Sequence, residues 1–304
     1  MEYVSVIIVN HNTAGLLLQC LSRVLESRLD HPIEVYLVDN ASTDNSVALA
    51  RASFPNIKVI SSKRNVGFAG GNNLALTETL ANVPPDATRT ERSVLLLNSD
   101  CFVEIDTIQK TSRFLDDHPE AGAVGPKLVL RTGELDLACR RSFPTPSSAF
   151  YKLSGLARKF PKSQRFARYN LTYLDPDKVA EVDSVVGAYM HVRLAAIDDA
   201  GLLDESFFMY GEDLDWAFRI KERGWKVFYY PDASALHYKG ASSSRRSYRL
   251  IVEFYRAMYL FHRKHYASKT FPVVNWLVTA GIFLRACVAL GLNLARPAAG
   301  KRVA

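Results

Sequence analysis

The chain has 304 residues, 48% of them hydrophobic and 23% charged, which is enough to bury a full core and ordinary for a globular protein. Its net charge of +7 and pI near 9.2 point to an anionic partner such as a nucleotide, a phospholipid or a nucleic acid. Cys20, Cys101, Cys139 and Cys287 are scattered without a CxxC pair, which argues against a disulfide framework or a zinc site and for a reduced compartment.

MEYVSVIIVN has no basic leader segment and runs straight into a strand, so no signal peptide is expected and the chain is placed in the cytoplasm. Tyr3 to Val9 is β-branched without alternation, as expected of a parallel strand buried on both faces. Asn10 to Asn12 break it, and Leu16 to Leu25 has helical spacing. Ile33 to Val38 is a second buried strand ending in Asp39-Asn40-Ala41-Ser42, and Ile57 to Ile60 a third. Gly67 to Leu80 opens glycine-rich and turns helical, then Val94 to Leu97 gives a fourth strand ending in Asn98-Ser99-Asp100. This alternation predicts a parallel sheet between helical layers, with ligands outside the carboxyl ends of its strands. Asn10, Asp39, Lys63 to Asn65 and Asp100 all fall just past those ends.

After Gly125 the pattern changes. Lys127 to Val129 and Leu135 to Ala138 read as short strands, and Arg140 to Asp175 is rich in Pro, Ser, Lys and Arg. Between Tyr151 and Asn170 lie Lys152, Arg158, Lys159, Lys162, Arg165 and Arg168 with no acid, either a solvated face or a contact for lipid phosphates. Val182 to Val192 returns to a strand, with Gly187 where a ligand or another backbone can approach. No internal repeat or nucleic-acid module is visible, so no nucleic-acid partner is expected.

The stretch Phe207 to His237 reads as a short helix, a glycine stop, a strand over Trp225 to Tyr230 ended by Pro231, and a histidine beyond it. Glu212, Asp213 and Asp215 fall in the first helical turn, where the macrodipole favours acids. Asp215 and Arg219 are spaced as an i,i+4 pair. The acids either cap the helix or, in apolar and aromatic surroundings, supply a shielded carboxylate able to act as a base.

Tyr248 to His265 is an amphipathic pattern laden with Arg, Lys and Tyr. Phe271 to Ala295 is apolar but interrupted by Asn275, Arg285 and Asn293. A central arginine costs roughly 2.5–3.5 kcal/mol on insertion, against about 0.3–0.6 kcal/mol returned by each Leu, Ile, Val or Phe. Spanning, burial in the core and lying in the membrane surface all stay open, and the aromatic and basic flanks favour the last.

Taken together, VSVIIVNHN, LVDNASTD, NVGFAGGNN, LLLNSD, VGAYMHVR, FFMYGEDLDWAFRI and PDASALHYKG resemble family-2 glycosyltransferases, most closely the bacterial rhamnosyltransferase-like branch. The resemblance covers Val4 to Ser244. It implies the GT-A fold, a three-layer α/β/α sandwich with a mostly parallel central sheet, here with amphipathic and apolar C-terminal helices added. Residues 1–244 would be the catalytic domain, 1–125 its nucleotide-binding half and 126–244 its acceptor half, with 245–304 a membrane-associating helical segment. The implied reaction is an inverting transfer of a sugar, rhamnose among the candidates, from a dTDP- or UDP-linked donor to an acceptor hydroxyl. The acceptor would be a cell-surface glycan or lipid-linked intermediate at the inner membrane surface, the enzyme sitting peripherally on the cytoplasmic face.

By the same resemblance, Asp39 accepts the imide N–H of the nucleotide base, with Asn10 and Asn12 lining base and ribose. As a bare sequence, DNAS is also a good turn. Lys63, Asn65, Gly71, Asn72 and Asn73 belong to a glycine-rich helix start that either meets phosphate and sugar oxygens or only packs on the sheet. The family's Asp-x-Asp stands here as Asn98-Ser99-Asp100, leaving one firm carboxylate beside the diphosphate. Asp100 and His237 match its metal-side positions, for Mg2+ or Mn2+. Arg245 and Arg246 either close over the diphosphate or stay in solvent. Asp213 matches the catalytic base, and Glu212 orients the acceptor or the helix. Two rivals are a sugar-phosphate nucleotidyltransferase, which wants a glycine- and arginine-rich loop where NHNTAGLL stands, and a non-catalytic nucleotide- or lipid-binding module on the same fold.

Overall fold

The computed structural model describes residues 1–85, 87–240 and 248–295. Strands β1 (Tyr3–Asn10), β2 (Ile33–Asp39), β3 (Lys58–Ser61) and β4 (Arg92–Asn98) pair in parallel in the spatial order β3-β2-β1-β4. Helices α1 (Ala14–Leu25), α2 (Ser46–Ser53) and α3 (Gly67–Ala81) make the connections. These elements coincide with the expected ones to within a residue or two at most ends. The cause is plain in β1 and α1: β1 is buried almost throughout, and α1 buries Leu17, Cys20, Leu21 and Val24 at helical spacing.

Beyond β4 the chain forms β5 (Cys101–Val103), α4 (Thr107–Asp117), β6 (Ala121–Leu130), α5 (Pro146–Leu153) and α6 (Leu156–Lys159). Then come β7 (Ala180–Val182), β8 (Tyr189–Arg193), α7 (Leu194–Ala200), α8 (Glu212–Glu222) and β9 (Lys226–His237). The sheet continues β4-β8-β6-β9-β5, with β7 also on β9. β8 runs antiparallel to β4 and β6, β5 and β7 run antiparallel to β9, and β6 and β9 are parallel.

Three expectations are corrected here. The two short strands expected at 127–129 and 135–138 are one long β6, followed by a turn in which Leu135 only bridges back to Val129. The single strand expected over 182–192 is split into β7 and β8, and Gly187 lies in the loop between them. Pro231 does not end the last strand: β9 runs on to His237, and the pairing with β6 jumps from Tyr230 to Ser234. Proline lacks the amide that a ladder needs, and the bulge leaves it outside the ladder.

Helices α9 (Tyr248–His265) and α10 (Pro272–Ala295) follow. Phe207 and Leu214 pack with Ala257 and Phe261 of α9, so α9 belongs to the body of the molecule. His262 Nε2 lies 2.9 Å from the Asn275 side-chain oxygen and ties α10 to α9. The most apolar part of α10 is not buried at all, with Trp276 and Phe283 about 70% exposed, so 271–295 is not a core helix.

Candidate active site

The carboxyl ends of three strands form a shelf, with Asn10 opposite Asp39 and Val9 opposite Asn98. Asp39 holds the following turn by accepting from the Ser42 amide at 3.0 Å. Asn10 is fully buried; its amide donates to Ser42 Oγ (3.0 Å) and Ser46 Oγ (2.9 Å) and accepts from Thr13. Asn12 takes a left-handed φ of 58° and accepts from the amides of Thr43 (2.7 Å) and Asp44 (3.2 Å). Both asparagines therefore build the loop wall around Asp39.

Asn40, which the sequence offers only as part of a turn, is the staple of this wall. Its amide nitrogen donates to Gly67 O (2.9 Å) and Asn65 Oδ1 (3.1 Å), and its oxygen accepts from Val66 N (2.8 Å). Lys63 is exposed on the turn so formed. Gly67 has a φ of +80°, and a Cβ there would stand 2.2 Å from the Phe208 carbonyl, which accepts from Phe68 N at 2.8 Å. Gly71 packs against Val9 and Asn40. Asn72 donates to Phe68 O (2.9 Å), and Asn73 clasps Leu203 and Glu205 through three hydrogen bonds of 2.9–3.1 Å. Asn72 and Asn73 thus hold the α3 start to its surroundings with buried amides.

β5 and β9 bring the next pair together, since Cys101 stands opposite His237. His237 Nε2 lies 3.6 Å from Asp100 Oδ1, and both side chains are buried. On the other ring face, Nδ1 lies 2.9 Å from Asp136 Oδ2, while Lys239 Nζ is 2.6 Å from Asp136 Oδ1. Burial pushes the His237 imidazolium down, but the carboxylates of Asp100 and Asp136 outweigh it and raise its pKa above the ordinary value. Among the described residues no three or more His, Cys, Asp or Glu are gathered as a metal cage. One carboxylate and one imidazole fit a divalent cation whose other positions are filled by ligand oxygens and water.

The acids of α8 form a second cluster. Asp213 Oδ2 accepts from Arg141 Nη2 at 2.7 Å and from Gly187 N at 3.0 Å, and Oδ1 accepts from Leu214 N at 2.7 Å. A Cβ at Gly187 would come 3.1 Å from the Phe68 ring and 3.6 Å from the Asp213 Cβ. Glu212 is buried, its Oε2 has no hydrogen-bond partner, and burial together with the Asp213 charge pushes its pKa up to about 8. Asp215 pairs with Arg219 as expected (2.9 Å), and its other oxygen meets Lys264 (2.7 Å) and His265 (2.8 Å) of α9. Lys152 is exposed and stands 4.2 Å over the Tyr169 ring.

The two sides meet at two consecutive residues, Gly187 and Ala188. Gly187 N donates to Asp213, and the carbonyl of Ala188 accepts from Asn98 N at 3.0 Å. The acid helix and the Asn98-Ser99-Asp100 turn are thereby joined through adjacent residues. Arg141 and Asp136 have no motif of their own and were missed in the sequence. Arg245 and Arg246 lie outside the described residues. Two cavities of about 380 and 420 Å³ lie elsewhere, lined around Tyr3 and Lys58 and around Leu18 and Phe102, and neither contains a residue of this cluster.

Comparison with known proteins identifies the family and the fold. The family described as glycosyl transferase family 2 matches residues 5–166, and glycosyl transferase family group 2 matches residues 93–294. An N-acetylglucosaminyl-diphospho-decaprenol L-rhamnosyltransferase of Mycobacterium tuberculosis is 24% identical over 269 residues, 88% of this chain and 86% of its own. A low-salt glycan biosynthesis hexosyltransferase of Haloferax volcanii is 24% identical over 294 residues, 93% of this chain and 86% of its own. Among solved structures, a Pyrobaculum calidifontis mannosyltransferase with GDP-mannose and Mn2+ superposes with a TM-score of 0.56 at 18% identity, covering 97% of this chain and 75% of that one. S. aureus TarS with UDP-GlcNAc gives a TM-score of 0.56 at 18% identity, over 94% of this chain and 72% of that one. These structures show the fold, which is GT-A.

Proposed function

This chain belongs to glycosyl transferase family 2, and on that premise we propose that it transfers a sugar with inversion from a nucleoside diphosphate to an acceptor hydroxyl. The observation that carries the reading is the junction at 187–188, which sets a buried carboxylate beside the turn that would hold the diphosphate. Residues 1–125 would bind the dTDP- or UDP-linked donor and 126–244 the acceptor. Asp39 would take the base imide, with Asn10, Asn12, Asn72 and Asn73 shaping the wall and Lys63 and Asn65 beside the phosphates. Rhamnose as the sugar and a lipid-linked acceptor are supported by the name of the mycobacterial relative.

Asp213 would accept the hydroxyl proton as the acceptor oxygen attacks the anomeric carbon. Arg141 and Gly187 N hold one of its oxygens and Leu214 N the other, which fixes the carboxylate without a side-chain rearrangement. Glu212, whose pKa is raised by burial and by the Asp213 charge, would orient the incoming acceptor or the helix. Asp100 and His237 would hold Mg2+ or Mn2+, and such an ion neutralises charge on the departing diphosphate. Exposed α10, with Trp276 and the basic run from Lys152 to Arg168, would rest the enzyme on the cytoplasmic membrane face.

Purified protein with Mn2+ or Mg2+ should release nucleoside diphosphate from dTDP-rhamnose or a UDP-sugar, faster when acceptor is present. Absence of both binding and turnover across such a donor panel would sink the reading.

A further inference from the structure

One buried carboxylate has no task in the transfer as set out above. Asp136 is 1% exposed and lies on the turn after β6, its backbone N bonded to Leu128 O at 2.8 Å. One of its oxygens takes Lys239 Nζ (2.6 Å) and the Ala138 amide (3.1 Å), so the carboxylate is held at both its backbone and its head. Its other oxygen faces His237 Nδ1 at 2.9 Å. The opposite ring nitrogen, Nε2, points at Asp100 Oδ1, 3.6 Å away. The three side chains lie in a row, carboxylate, imidazole, carboxylate, and all are buried.

An imidazole can ligate a cation only through a nitrogen that carries no proton. A carboxylate at one nitrogen keeps the proton there and leaves the other lone pair free, and it also fixes the ring plane and makes the ligand more basic. We propose that Asp136 is the positioning residue of the cation site, holding the His237 ring with Nδ1 protonated and Nε2 directed to the cation shared with Asp100. Asp136 itself does not touch the cation or the donor. Lys239, anchored on its far oxygen, keeps the carboxylate from rotating away. The inference rests on the metal-assisted part of the proposed function and adds a residue that the family motifs in this chain do not include.

The test is Mn2+ binding by full-length protein in the presence of UDP, read by calorimetry and by the electron paramagnetic signal of free Mn2+. Loss of an outer partner of a histidine ligand lowers metal affinity about 10–100-fold. Asp136→Ala should weaken Mn2+ by that factor, and Asp136→Asn, which can still accept from Nδ1, by less. The decisive variant is the double one. Asp136→Ala in a His237→Ala background should cost no further affinity, because its effect passes through the imidazole. Thermal unfolding of each variant keeps a folding defect apart from a binding defect, and Asp136→Asn serves if the alanine variant does not fold. Unchanged Mn2+ affinity in a folded Asp136 variant, or full additivity with His237→Ala, overturns the inference while leaving the metal reading standing. No Mn2+ binding by the wild-type protein overturns both.

Discussion

Arg141 Nη2 lies 2.7 Å from Asp213 Oδ2, and both side chains are less than 10% exposed. The pair brings together a residue of the Arg- and Ser-rich stretch after β6 and the second acid of α8, 72 positions apart. Removing one partner of such a pair leaves the other charge buried alone, at a cost of about 3–5 kcal/mol. Arg141→Met is therefore expected to lower the melting temperature and transfer activity together. Arg141→Lys, which keeps the charge but not the forked geometry, should fall in between. Thermal unfolding and turnover on the same preparations check this, and a wild-type melting temperature for Arg141→Met would refute it.

Asp213→Asn should abolish transfer while donor affinity stays nearly intact. Loss of a general base lowers the rate by about 10²–10⁴-fold. The amide oxygen can still accept from Arg141 and from Gly187 N, while Arg141 loses its counter-charge and Leu214 N its acceptor, so thermal unfolding is read beside donor binding. Turnover and donor binding measured side by side decide it, and wild-type turnover rules out Asp213 as the base.

Asp100→Ala should weaken metal-dependent donor binding more than His237→Ala does. The carboxylate brings charge as well as a ligand atom, whereas neutral imidazole brings only the ligand atom. Calorimetric donor titrations across a metal series show the order. The assignment fails when both variants keep the wild-type metal dependence.

Glu212 supplies a pH dependence of stability. Its carboxyl is raised from 4.5 to about 8 in the folded chain, so the folded state holds this proton more tightly than the unfolded one. Its contribution is complete below the unfolded pKa and is lost as pH rises through the folded one. Stability should decline from about pH 5 to pH 8 for this reason, and Glu212→Gln, which cannot ionise, should flatten that decline. Urea unfolding at several pH values reads the slope; an identical slope in both proteins excludes Glu212 as its source.

Truncation at two points separates anchoring from folding. Removing 271–304 takes away exposed α10 and should abolish flotation with anionic liposomes while donor binding survives. Removing 248–304 also takes Lys264 and His265 from Asp215, and Ala257 and Phe261 from the core against Phe207. That shorter chain should lose stability outright. Flotation of the first truncation like full length would mean that α10 is not the anchor.

The parallel half of the sheet was legible because β1, β2 and β4 are uninterrupted apolar runs with polar residues at their ends, which leaves little choice of element or of functional edge. The second half resisted for physical reasons that can be named. Pro231 reads as a strand end in one dimension, and only the pairing of β9 with β6 shows that a bulge absorbs it. Arg141 sits among basic residues that mostly face solvent, and its burial depends on a carboxylate 72 positions away. Asp136 lies in a turn whose composition, Gly133 to Cys139, announces nothing beyond the turn. The asparagines show the converse case: Asn10, Asn72 and Asn73 stand out in the motifs as candidate donor contacts, and their amides are hydrogen-bonded to neighbouring protein groups.

The contact between Gly67 and Phe208 bears on how this enzyme can be re-engineered. The glycine-rich turn and the approach to α8 belong to regions of sequence about 140 residues apart, yet they touch with no room for even a methyl group between them. A chimera that replaces the turn over 62–73 must import the matching 207–210 segment as well. Under the proposed roles, donor preference and placement of the base therefore cannot be exchanged as independent cassettes in this chain.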